Sequence, residues 1–191
     1  MIGRSKHMPK HYPLLTIILT LAVGAIASTA ISEEASPPLG ENLLTEFQVK
    51  DVTGPAAGKT LCYYCRYGRR PVICVFTREV NDEVAQLIAR IDAAVDANSQ
   101  HRWAAFVVFL GEDSQAAEQR LKALARNHKI RHTPLTIYRD TPQKLDSGLH
   151  IADQTRVLLR CWRNGKVLGQ SDFSSENPAT EIDRLLADLA R

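Results

Sequence analysis

The sequence predicts an α/β domain built on a mixed β-sheet flanked by helices on both faces. Two observations carry this. First, two unbroken apolar runs, PVICVF at 71–76 and WAAFVVFL at 103–110, are each followed by a segment with helical apolar spacing. Second, Asn164-Gly165 separates two strand-like segments, a strong signal for a two-residue hairpin. Strand–helix–strand units require parallel strands joined by a crossover helix, whereas a hairpin requires antiparallel ones, so the sheet is mixed.

Composition supports a globular domain. Of 191 residues, 45% are hydrophobic and 24% charged, which excludes a disordered or collagenous chain and a multi-span membrane protein. The net charge of +3 comes from Arg4, Lys6 and Lys10. Without the first thirty residues, bases and acids balance at 21 each, so overall charge gives a nucleic-acid role no support.

Residues 1–30 read as a secretory signal peptide. Three basic residues precede the apolar run Leu14–Ala27, and small residues follow in AIASTA, with expected cuts after Ala27 or Ala30. The run is shorter than the roughly 20 residues needed to span a bilayer. Cleavage is therefore expected, leaving no membrane attachment. A retained anchor is the alternative. Either way the body is expected outside the cytoplasm, in the periplasm or secreted, where disulfides persist. Residues 31–42, ISEEASPPLGEN, read as a flexible leader and 43–191 as the folded domain.

The elements follow in order. FQVKDV at 47–52 alternates as a short strand, and Gly54, Pro55 and Gly58 mark a turn. TLCYYCRYGRR at 60–70 is expected to be a loop leading into the PVICVF strand. Apolar residues at 84, 87, 88, 91 and 95 form one helical stripe, with Asp82 and Glu83 complementing its N-terminal dipole. After the second buried strand, Asp113 or Ser114 caps a helix carrying Ala117, Leu121 and Leu124. IRHTPLTIY at 130–138 is a loop entering a strand at Pro134. Segments 155–162 and 166–170 form the hairpin. Asn177 and Pro178 open a last helix whose buried stripe is Ile182, Leu185, Leu186 and Leu189.

This order resembles the thioredoxin-like fold superfamily from about Phe47 to Arg191. Cys62-Tyr63-Tyr64-Cys65 resembles that family's C-x-x-C pair, and Thr133-Pro134 resembles its proline before a core strand. The stretch FQVKDVTGPAAGK is similar to the start of a peroxiredoxin or redoxin. The resemblance implies a cis Pro134 near Thr77-Arg78, facing the redox site, with Cys62 as the attacking thiol. The chain also departs from the family. After PVICVF stands Thr77-Arg78-Glu79-Val80, with no cysteine, so Val80 occupies the thiol position and rules out a peroxidatic thiol there. CYYC precedes the strand instead, so it is expected remote from Pro134 and not at the start of a long helix.

The cysteines admit several readings. C-x-x-C closes a disulfide with little backbone movement and suggests a redox pair. Arg66, Arg69 and Arg70 follow, and nearby cations favour a thiolate. Tyr63, Tyr64 and Tyr67 form a possible aromatic contact surface for a polypeptide. Alternatively the pair is a structural staple, or half of a zinc site that lacks its other ligands. Cys74 and Cys161 share strand faces with apolar residues and are expected to be buried and unmodified, with a Cys74–Cys161 bridge as the alternative. Covalent haem needs C-x-x-C-H, and Arg66 fills the histidine position. His128 and His132 read as solvated loop residues rather than a metal pair, and Trp103 and Trp162 as core or strand-edge aromatics.

The resulting expectation is an exported thiol–disulfide oxidoreductase that uses Cys62 and Cys65, supported by Arg66, Arg69, Arg70 and Pro134. Its expected partners are protein thiols or disulfides and a second redox partner. No cofactor, metal or nucleic acid is expected. The alternative is a non-catalytic interaction domain with a structural Cys62–Cys65 disulfide.

Overall fold

The computed structural model describes residues 44–173 and 178–191. The expected signal peptide and leader lie outside them, as does the Asn177 cap. A seven-stranded sheet organises the domain. Its strands are β1 (Val49–Asp51), β2 (Thr60–Leu61), β3 (Val72–Thr77), β4 (Ala104–Phe109), β5 (Leu135–Tyr138), β6 (Val157–Arg163) and β7 (Lys166–Asp172). They lie in the order β2-β1-β5-β4-β3-β6-β7. The central β5, β4 and β3 are parallel, and the flanking strands are antiparallel to their neighbours. Asn164 and Gly165 both have positive φ, 56° and 75°, the geometry of the hairpin turn expected there.

The helices are α1 (Tyr63–Tyr67), α2 (Asp82–Ala97), α3 (Gln115–Asn127) and α4 (Pro178–Ala190). Asn81 caps α2 by accepting the Val84 amide at 2.9 Å, and Ser114 rather than Asp113 caps α3 by accepting the Ala117 amide at 3.2 Å. Asp113 instead pairs with Lys50 and Arg139.

Strand parity divides the core in two. Ile73, Val75, Val107, Leu159 and Cys161 pack with α2, α3 and α4 on one face. Val72, Cys74, Phe76, Phe106 and Trp162 pack on the other, under Leu44, Phe47, Tyr63 and Leu149. Helices flank both faces, but unequally. Among the described residues, the second face carries α1 and a π-helical turn at Lys144–Gly148.

Candidate redox site

Cys62 and Cys65 form a disulfide, with Cα atoms 5.2 Å apart. Cys62 is the N-cap of α1, and its sulfur accepts the Cys65 amide at 3.0 Å. Cys65 is exposed and Cys62 half-buried. The pair therefore opens a helix of a single turn, where the sequence suggested only a loop.

Tyrosines hold that turn in place, and the expected aromatic contact surface fails at Tyr63, whereas Tyr64 and Tyr67 are half-buried. Tyr63 is fully buried. Its ring stacks on Phe106 at 5.3 Å, and its hydroxyl donates to Asp51 at 2.8 Å. Burial, followed by that hydrogen bond, pushes its phenol far above the ordinary value. Tyr67 packs against Tyr63 and Phe106, and Tyr64 lies edge-on to Trp162. The fully buried Asp51 carboxylate also accepts the amides of Gly54 at 2.6 Å and Ala56 at 2.8 Å. One carboxylate thus ties the β1–β2 turn to the redox helix.

The arginines divide by role. Arg70 donates to the carbonyls of Arg102 and Trp103 at 2.7 and 3.2 Å and lies over the Tyr67 ring. Arg69 donates to the Asn164 side chain at 3.1 Å. Of the three, Arg66 alone has a side chain with no hydrogen bond or ion pair to a described residue, while its amide donates to the Cys62 carbonyl at 3.0 Å. It is exposed and directly follows Cys65.

Pro134 differs from expectation. The described residues contain no cis peptide bond, so Thr133–Pro134 is trans. The chain bends at His132 and Thr133 as it enters β5. Asp92 accepts the Arg131 and His132 amides at 3.1 and 2.7 Å, and the Val107 amide donates to the Pro134 carbonyl at 2.8 Å. Nor does Pro134 adjoin Thr77-Arg78. It precedes β5, two strands from β3 and toward the opposite edge of the sheet. The segment that meets Thr77-Arg78 is Thr155-Arg156, because β6 is the antiparallel neighbour of β3. The Arg78 amide donates to the Arg156 carbonyl at 3.0 Å. CYYC nevertheless reaches toward Pro134 through the Tyr63 side chain. Both segments precede parallel strands, and both reach Gly54. A Cβ on Gly54 would meet the Tyr63 hydroxyl at 2.6 Å and the Pro134 Cβ at 2.7 Å.

The β3 end is closed. Arg156 grips Glu79 with two hydrogen bonds, at 2.6 and 2.8 Å, and the Thr77 hydroxyl is engaged by the Glu79 backbone. Cys74 and Cys161 are fully buried and free. They lie on opposite faces of the sheet, Cys74 opposite Arg160 and Cys161 opposite Ile73, which excludes a bridge between them. Burial raises both thiols, Cys161 to about 12. Trp103 and Trp162 are core residues. His128 and His132 separate, toward Asp82 at 4.0 Å and Asp96 at 3.5 Å. Among the described residues no cluster of three His, Cys, Asp or Glu side chains could hold a metal. None of the helices in that part is long and apolar enough to cross a membrane.

The chain superposes on peroxidoxin BcpB from Mycobacterium tuberculosis with a TM-score of 0.59, covering 80% of this chain and 96% of that one. The fold is thioredoxin-like. This chain is also similar to the 2-Cys peroxiredoxin of Plasmodium vivax (TM-score 0.55, 14% identity, covering 77% of this chain and 93% of that one). A third neighbour is dsbF of M. tuberculosis (TM-score 0.55, 9% identity, covering 78% and 98%). Identity to BcpB is 13%, so the likeness establishes architecture. No protein-family model and no curated protein matches the sequence. Against this thioredoxin-like frame, the redox turn stands before the first central strand rather than after it. No periodicity marked α1 or Asp51 as parts of the site. Only the adjacent cysteines did.

Proposed function

We propose that this chain is an exported thiol–disulfide oxidoreductase whose working pair is Cys62 and Cys65. The observation that carries the reading is an accessible disulfide on an anchored helical turn, in a described domain whose other two cysteines are sealed in the core.

The chemistry follows from access and leaving-group stability. A partner thiolate attacks the exposed Cys65 sulfur, and the Cys62–Cys65 bond breaks. Cys62 leaves as a thiolate, stabilised by the Cys65 amide. A second partner thiolate then attacks the partner sulfur of the mixed disulfide and releases Cys65. The partner gains a disulfide, and this chain takes up two electrons and the two thiol protons. Reversal reduces a partner disulfide, with Cys65 attacking and Cys62 resolving. This order is opposite to the one the resemblance implies. Of the three arginines, Arg66 is the one free to favour the thiolate.

Insulin reduction tests the reading. Wild type accelerates it with dithiothreitol as electron source, and Cys62→Ser and Cys65→Ser do not. Cys62→Ser traps a mixed disulfide through Cys65. Equal activity of the two variants and wild type overturns the proposal. The opposing reading is a staple in an interaction domain. It is favoured by the Tyr63–Asp51 anchor, which needs no redox chemistry. A Cys62–Cys65 potential below about −300 mV decides for the staple. The charged, apolar and small-residue order of residues 1–30 supports export. Sequencing the exported chain should find its N-terminus at Ser28 or Ile31.

A further inference from the structure

We infer that the sheet edge carrying Cys62 and Cys65 is a docking surface for an acidic, cysteine-bearing polypeptide segment. This rests on the exchange reaction proposed above and names its substrate class.

The loops entering the parallel strands β3, β4 and β5 share one edge of the sheet. The Asn164-Gly165 turn joins them, because β6 runs antiparallel to β3 and ends beside its start. The Asn164 amide donates to the Arg69 carbonyl, and Arg70 to the carbonyls before β4. This one edge exposes Arg66, Arg69, Arg102, Arg126, Lys129 and Arg131. None of the six is ion-paired with a carboxylate among the described residues. At the opposite edge Arg78, Arg139 and Arg156 each pair with one. The chain beyond residue 30 is neutral overall, so unpaired positive charge at one edge is a matter of arrangement.

The basic edge also holds a cleft of about 610 Å³. Its walls include Tyr67 and Arg70 from the redox segment, Arg131, His132, Thr133 and Pro134 from the loop into β5, and one carboxylate, Asp96, which lies 3.5 Å from His132. Tyr67 closes the short helix that Cys62 opens, so the redox segment supplies one wall of the cleft, although neither cysteine lines it. The Thr133 side chain is 2% exposed, and its hydroxyl has no hydrogen-bond partner among the described residues. An unmade hydrogen bond of this kind is costly. A disulfide on the same edge selects a partner that carries cysteine. The surrounding cations select one with Glu and Asp near that cysteine. The spread of charge over three loops, beyond the cleft itself, matches a polypeptide segment rather than a small thiol.

Single-turnover reduction of the oxidised protein tests this with three dithiol peptides of equal length, rich in Glu, Gln or Lys. Rates are compared at equal thiolate concentration. The Glu-rich peptide should react at least about tenfold faster than the Gln-rich one at low salt. The preference should shrink toward unity at about 0.5 M salt. Arg102→Glu with Arg131→Glu should abolish the preference. Arg120→Glu, an exposed change on the side of α3, should leave it as in wild type. Equal rates for the three peptides overturn the inference alone. Exchange with none of them overturns the oxidoreductase reading and the inference with it. Equally fast reaction of mercaptosuccinate, or stronger competition by a single-stranded oligonucleotide than by a cysteine-free Glu-rich peptide, also overturns it.

Discussion

Tyr63 sits inside the C-x-x-C motif, yet its contacts are those of a core residue. Its hydroxyl is one of three donors on a buried carboxylate. Hydrogen bonds to charged groups contribute about 1.5–3 kcal/mol each. Tyr63→Phe should therefore lower the free energy of unfolding by about that amount, read as a shift in urea midpoint at unchanged slope. An unshifted midpoint would show that the anchor carries no stability. The buried thiols make a second test at this scale. Burial holds Cys74 and Cys161 as neutral thiols, and only thiolates react quickly. After Cys62 and Cys65 are accounted for, a thiol reagent at pH 8 should label neither in the native protein and both in denaturant. Rapid native labelling would show that the strand interior opens.

At the scale of elements, α1 depends on its surroundings. Five residues cannot sustain an isolated helix. Asp51, Phe106 and the β1–β2 turn position it instead. Gly54 is the tightest point of this arrangement, since a Cβ there collides with the Tyr63 hydroxyl, the Asp51 carboxylate and Pro134. Gly54→Ala should destabilise the domain by about 1–3 kcal/mol and alter the rate of exchange at Cys65, measured with a small dithiol. A neutral substitution would show that the turn yields without cost. The same dependence explains what the sequence revealed. Helices α2 and α3 were legible because a stripe repeats over two turns or more, and β3 and β4 because unbroken apolar runs mark strands buried on both faces. Two-residue β2 and five-residue α1 are too short to show a period. Pro134 was misplaced for another reason. Local sequence announces a strand but not its neighbours, and only the pairing of β6 with β3 shows that Thr155-Arg156, not Thr133-Pro134, meets the end of β3. The cysteine pair was legible as chemistry, whereas its support by Asp51 and Tyr63 was not.

Across the whole molecule, ion pairs gather where the parallel strands end. Glu79 pairs with Arg156 there, Asp153 with Arg78, and Asp140 with Lys144. Hydrogen bonds from Arg156 hold the Glu79 carboxyl below its ordinary value. At Asp140 burial opposes this direction, but bonds from Lys144, Thr141 and Gln48 outweigh it. A carboxylate with a depressed folded pKa binds fewer protons in the native state than in the unfolded one. Its contribution is therefore fully present above the unfolded value and is lost as pH falls through the folded value. For these groups the loss begins below about pH 4.5. The exposed arginines and lysine of the redox edge are unpaired, so acid breaks no arginine–carboxylate pair there. Acid should then loosen the molecule from one end. Hydrogen exchange at pH 7 and pH 3.5, corrected for intrinsic rates, gives the test. The Arg78 and Glu79 amides, held by the Arg156 carbonyl and the Thr77 hydroxyl, should lose protection first. The Val107 amide, bonded to the Pro134 carbonyl in the middle of the sheet, should retain it. Equal loss at both places would mean that acid acts through global unfolding and that the ion pairs at the strand ends carry no local stability.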